Sequence, residues 1–281
     1  MSKYLIINAD DFGYNNEQNS AVTELLNCGL ITSTSLLAIA PKAKDAVEFS
    51  KDNKVDVGVH LAISSDNENK KWQSLSSAKS FKNGLPHNQK DLIFKTSRKD
   101  VRKELEEQYR FITENGGTVD HADNHGGTLY GINGRRFFID TFEFCAEHKL
   151  PYRFPKTSGF LERQIGRSVP GVVKKYQQMI VNAGEKRGVK MPDDLVSNPW
   201  SMSRIGDFNT LEKYYLDAVE NCIDGVTEMF LHPALPVDDK NPEWQKRVFE
   251  YEILKSGCLL EKAKEKGITV VSWKIFEALD K

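Results

Sequence analysis

Short apolar runs alternate with amphipathic segments along almost the whole chain. Tyr4-Leu5-Ile6-Ile7 is a run of β-prone residues that reads as a strand buried on both faces, and it leads straight into Asn8-Ala9-Asp10-Asp11-Phe12-Gly13. Residues 16–28 carry Val22, Leu25 and Leu26 at helical spacing, with Gly29 as a natural stop. Residues 32–40 (TSTSLLAIA) read as a second strand, Pro41 opens a second helix, and residues 55–61 (VDVGVHL) form a third strand that ends beside a histidine. A polar stretch follows over residues 64–97, with Trp72, Leu75, Phe81 and Leu85 embedded in it. A connection this long inside a compact domain is typically a lid or binding loop.

The alternation then resumes. Residues 98–115 give an amphipathic helix closed by Gly116-Gly117, and residues 118–125 (TVDHADNH) give a strand that turns polar at its end. Residues 135–148 are helical, and residues 150–155 (LPYRFP) read as a short strand edged by prolines. Residues 156–198 are mostly helical with weaker periodicity, and residues 194–197 are the strand candidate there. Beyond them come a helix at 211–223, a strand at 227–232 (TEMFLH), helix over 242–266 with a break near Gly257, and a last strand at 268–273. Seven or eight strands alternating with helices predict an α/β fold with a parallel sheet, and about eight such units favour a closed or distorted (β/α) TIM-like barrel over an open doubly wound sheet. The first strand lacks a G-x-G-x-x-G turn, which argues against dinucleotide binding.

Length and charge narrow the picture. The 281 residues carry no linker and suit one domain over 1–281, with the 64–97 stretch as a lid-like insertion. Lys and Arg (39) balance Asp and Glu (40), so no global basic field attracts nucleic acid or an anionic membrane. The four cysteines are scattered, with no C-x-x-C pair, and read as reduced, mostly buried thiols. Met1-Ser2-Lys3 runs directly into the first strand and no apolar run is long enough to span a bilayer, so a soluble cytoplasmic protein is expected. Oligomeric state is left open, a homodimer included.

Candidate chemistry collects at the predicted strand ends, which share one face in a parallel sheet. There stand Asp10-Asp11, His60, the set His121, Asp123 and His125, Arg153, and His232 before Pro233. His87 and His148 read as surface or capping groups. Asp10 and Asp11 point apart if the backbone is extended, one as a ligand and the other toward a different part of the same opening. Ordinary turn chemistry is the competing reading of that pair. Two imidazoles plus a carboxylate, with positions left for water, form a common catalytic divalent-metal arrangement. Zinc suits two nitrogens and an oxygen, while magnesium, manganese or cobalt suits the carboxylate and the open positions.

The motifs N-A-D-D-F-G, G-V-H-L (58–61), D-H-A-D-N-H (120–125) and L-H-P (231–233) resemble those of the YdjC-like carbohydrate deacetylases, which include the chitooligosaccharide deacetylases. The similarity runs in order through most of the chain. It implies a distorted (β/α) barrel and metal-assisted removal of an N-acetyl group from an amino sugar, with an N-acetylated small carbohydrate as substrate. By position it implies Asp11, His60 and His125 as metal ligands, Asp10 as general base and His232 as general acid. One departure stands out: where the family continues past the last ligand with further histidines, this chain has Gly126-Gly127-Thr128. His121 and His125 are a rival ligand pair, but on a strand residues four apart lie ~13 Å from one another, so His121 is expected to support a ligand, as is Asp123. Another metal hydrolase on the same barrel, an amidohydrolase or phosphoesterase, and a non-catalytic sugar-binding protein are the alternatives; retention of both Asp10 and Asp11 argues against the last. Trp72, Phe81, Tyr130 and Trp200 are read first as packing residues and second as stacking platforms for sugar rings.

Overall fold

The computed structural model describes residues 2–66, 71–131, 134–237 and 241–279. Part of the expected lid, residues 67–70, lies outside the described residues. The ten-residue strand β1 (Lys3–Phe12) is the spine, buried from Leu5 onward. Six more strands join it: β2 (Ser33–Leu36), β3 (Asp56–Leu61), β4 (Thr118–Asn124), β5 (Asp194–Val196), β6 (Gly225–Leu231) and β7 (Thr269–Val270). Every ladder among the described residues is parallel, in the order β4-β3-β2-β1-β6-β5. β6 follows one edge of β1 from Lys3 to Ala9; on the other edge β7 pairs Tyr4 and Leu5 before β2 takes over at Asn8. Helices connect the strands, as parallel pairing requires.

The expected parallel α/β architecture is present, in a distorted form. The ladder leaves β4 and β5 as edges, and the segment 150–157 lies across the gap. Ala122 N donates to Pro151 O (2.9 Å) and Arg153 N to Ala122 O (3.0 Å), while Tyr152 N donates to Lys190 O (2.8 Å) and Thr157 N to Asp193 O (3.0 Å). This segment is the predicted LPYRFP strand, and it makes only an isolated bridge at Tyr152. Pro151 and Pro155 have no N–H to give to a ladder. The predicted strand at 268–273 shortens to two residues, and that at 32–40 to four.

Side chains inside the barrel are layered along its axis. Ile6, Val226, Trp273 and Phe276 pack at the base. His121 stacks on Trp273 at a 4.4 Å centroid distance and 7° between planes. Above them lies a charged layer around Arg153, and above that the mouth. The larger apolar core lies between the sheet and the helices, and includes Leu5, Ile7, Val22, Leu25, Val101, Leu105 and Phe142. No helix among the described residues is long and apolar enough to cross a membrane.

Candidate metal centre and its cleft

The two acids of β1 face the same opening because β1 does not stay extended. The register against β2 shifts between Ala9 and Phe12, and Asp11 adopts φ +65°, a left-handed conformation that Asp tolerates better than most residues. The irregularity turns both carboxylates into one cleft, where extended backbone would have sent them apart. Gly13, at φ +104°, completes the turn; a Cβ there would lie 2.9 Å from Ala43 Cα.

Asp11, His60 and His125 bring their ligand atoms within 4.8 Å of one another. His60 Nε2 lies 3.3 Å from Asp11 Oδ1, and His125 Nδ1 lies 3.0 Å from the same oxygen. Each imidazole is held from its other side, His60 Nδ1 by Asp123 Oδ1 at 2.7 Å and His125 Nε2 by Asp66 Oδ1 at 2.6 Å. Two oriented nitrogens converging on one carboxylate is a donor set that fits a divalent ion, and a carboxylate behind the histidine is the usual partner that aims it. Burial opposes the charge on Asp11, but His125 and Arg247 outweigh it and hold the carboxyl well below its usual range. Burial likewise opposes protonation of both rings, yet Asp123 and Asp11 raise His60 to about 10, and Asp11 and Asp66 raise His125 to about 9.

Beneath this cluster sits a buried guanidinium shared by three carboxylates. Arg153 Nη1 and Nη2 donate to the two oxygens of Asp10 at 2.6 and 2.7 Å, and Nε donates to both oxygens of Glu228 at 2.9 Å. Its Nη2 also lies 2.8 Å from Asp123 Oδ2. One cation facing three buried acids leaves excess negative charge; burial pushes Glu228 up to about 7, with Arg153 opposing only in part. Asn8 Nδ2 donates to Asp10 Oδ1 at 2.7 Å. His232 Nε2 stands 3.8 Å from Asp10 Oδ2, its backbone N–H tied to Glu250 at 2.7 Å, and burial lowers its ring below the usual imidazole range.

His121 lies a layer below and touches none of the three clustered residues. Its Nδ1 meets Asp120 Oδ1 at 2.6 Å, and its ring fills the space left by Gly58 opposite it in the register. The expectation that it supports a ligand is corrected: Asp123 does that for His60. Of the four aromatics considered for stacking, Tyr130 lines the cleft, Trp72 and Phe81 are buried in the core, and Trp200 lines a separate surface pocket. Sequence reasoning missed Arg247, whose Nη1 lies 3.0 Å from Asp11 Oδ2, along with Asp66 and Glu228. It also missed the cleft's outer wall, formed by the helices Gly159–Ile165 and Gly171–Glu185.

The parallel α/β sheet brings an Asp-His-His cluster to the carboxyl ends of its strands in an open cleft, and this defines a class of protein whose clustered donors fit a divalent ion. The YdjC-like protein family matches residues 4–265, and the chain belongs to it. Its relatives include a carbohydrate deacetylase of Geobacillus stearothermophilus, 25% identical over 99% of this chain and 100% of the relative. Another from Thermoanaerobacter pseudethanolicus is 27% identical over 98% and 100%, and a chitooligosaccharide deacetylase of Yersinia enterocolitica is 24% identical over 97% and 99%. The fold is that of an Enterococcus faecalis protein named for cellobiose-phosphate cleavage, with a TM-score of 0.75 at 22% identity, covering 98% of this chain and 99% of that one.

Proposed function

We propose that this protein is a divalent-metal-dependent hydrolase that removes the N-acetyl group from an amino sugar or short oligosaccharide. The observation that carries the proposal is the convergence of Asp11, His60 and His125 beside Asp10 in one cleft. The names of the relatives point to the same reaction. A bound divalent ion supplies an acidified water and a polarised carbonyl. Asp10, its plane fixed by Arg153 and Asn8, takes the proton as the water oxygen bonds to the carbonyl carbon. His232 is neutral at rest, and its Nε2 is 3.8 Å from Asp10, so that proton has a short path to the ring. The ring returns it to the nitrogen as the C–N bond breaks, leaving acetate and an amine. Asp123 keeps His60 in one orientation throughout.

Acetate release from N-acetylglucosamine and its β-linked disaccharide, measured beside metal content, tests the reading. Asp11→Asn should lose metal and activity together. Asp10→Asn should keep the metal and lower kcat by about 10²–10⁴-fold, the usual loss with a general base. A metal-loaded Asp10→Asn enzyme with near-normal kcat would move the base elsewhere, with Asp123 and His232 next to test.

A further inference from the structure

The cleft, about 580 Å³ in volume, has two chemically different halves. Its inner end holds the acids and imidazoles. The outer half is walled by Phe154, Phe160, Leu161, Val173 and Ile180, together with Tyr130. Besides the Tyr130 hydroxyl, three polar side chains occur on this wall, and each donates to a protein carbonyl. Gln164 Nε2 donates to Ser197 O (3.1 Å), Gln177 Nε2 to Pro155 O (2.8 Å), and Tyr176 OH to Gly131 O (3.3 Å).

Sugar hydroxyls moved into this half would leave water and meet a lining that is mostly carbon. Aromatic faces can stack on a pyranose, but Leu161, Val173 and Ile180 offer no ring face. On the opposite side Gly126 and Gly127 carry no side chain, and a Cβ at Gly126 would meet nothing within 4 Å, so the cleft is wide there. The helix Gly171–Glu185 gives Val173 and Ile180 to this wall, while its exposed Met179 belongs to a separate groove beside Lys175 and Lys186.

We infer that the substrate amide carries an apolar chain of several carbons, and that this chain lies in the outer half of the cleft against Leu161, Val173 and Ile180. The inference rests on the hydrolase reading above and deepens it. The chain is either an acyl group longer than acetyl or an apolar aglycone on the sugar. In both cases hydrolysis still forms one C–O bond, breaks the C–N bond, and releases a carboxylate and an amine.

The experiment measures amine release by the metal-loaded enzyme from N-acetyl-, N-butyryl- and N-hexanoylglucosamine, and from the octyl glycoside of N-acetylglucosamine. At about fourfold per buried methylene, the butyryl compound, two methylenes longer, should exceed the acetyl compound in kcat/KM by about 15-fold if the chain is acyl; the octyl glycoside should show the gain if it is an aglycone. Leu161→Asn and Val173→Asn should bring that ratio back toward one. Ratios at or below one in both arms, with acetate still released from N-acetylglucosamine, would overturn the inference and leave deacetylation standing. If no compound is hydrolysed, the hydrolase reading fails and calorimetric binding decides the inference. Hexanoyl or octyl compounds binding at least about tenfold tighter than N-acetylglucosamine, with the gain lost in Leu161→Asn, support it; equal affinities sink it.

Discussion

Single residues decide where the two ring systems of the barrel interior sit. Gly58 and His121 are opposite one another in the β3–β4 register, and a Cβ at Gly58 would come within 2.2 Å of the His121 Nε2. The ring has no room to retreat, since Trp273 stacks 4.4 Å behind it. Gly58→Ala should therefore destabilise the fold by about 1–3 kcal/mol, the usual cost of overpacking, read as a lower urea midpoint at unchanged slope. An unchanged midpoint would mean that the ring finds another position. The same physics explains why sequence reasoning misjudged His121. A histidine near a strand end looks like site chemistry, and only the glycine across the ladder reveals a packed ring. Asp10 and Asp11 were read as serving one opening and both line one cleft, but the break in β1 that brings them there was not visible, because alternation along a strand holds only where the strand stays regular.

At the level of elements, the segment 64–97 divides into two parts with different expected behaviour. Its first residues reach the site, where Asp66 meets His125 at 2.6 Å and accepts from Tyr14 OH at 3.1 Å. The remainder is anchored: Trp72, Phe81, Leu85 and Leu92 belong to the main core, and Glu104 accepts from Leu75 N and Ser76 N. Trp72→Ala should cost about 3–5 kcal/mol in stability, as expected for a buried tryptophan. Asp66→Asn should leave the unfolding midpoint near wild type and change metal affinity or kcat/KM, because it alters the partner that orients His125. The reverse pattern would place the whole segment in the scaffold. Elements with strong periodicity were legible in the sequence, as were Asp10, Asp11, His60 and His125, because charge interrupts an apolar run at each strand end. Residues 156–198 were legible as mostly helical, but their place as a wall of the cleft was not, since nothing local in the sequence says what a helix packs beside. Arg247 was not either: it stands 236 residues from Asp11, on the helix Pro242–Ser256, where an arginine has no local signature.

For the molecule as a whole, a proton and the proposed metal would compete for one cluster, and that competition would fix how stability follows pH. Without metal, His60 and His125 are raised to about 10 and about 9, above their unfolded value of 6.5. A group with a raised folded pKa stabilises the fold fully below its unfolded pKa, and that contribution is lost as pH climbs through the folded value. The metal-free protein should therefore lose melting temperature between about pH 7 and pH 10, as the Asp11-His60-His125-Asp123 network surrenders its protons. Metal binding demands the same two protons, so at pH 7 loading should release about two, and affinity should tighten by up to about 100-fold per pH unit below pH 9. Because a ligand at free concentration L that binds only the native state stabilises it by RT ln(1 + L/Kd), and the affinity rises with pH, the gain in melting temperature on loading should grow with pH. Calorimetric titration in buffers of different ionisation enthalpy counts the released protons directly. A count near zero at pH 7, with a metal-free melting curve that is flat in pH, would show that the rings are already neutral and that Asp123 and Asp66 orient them without charging them.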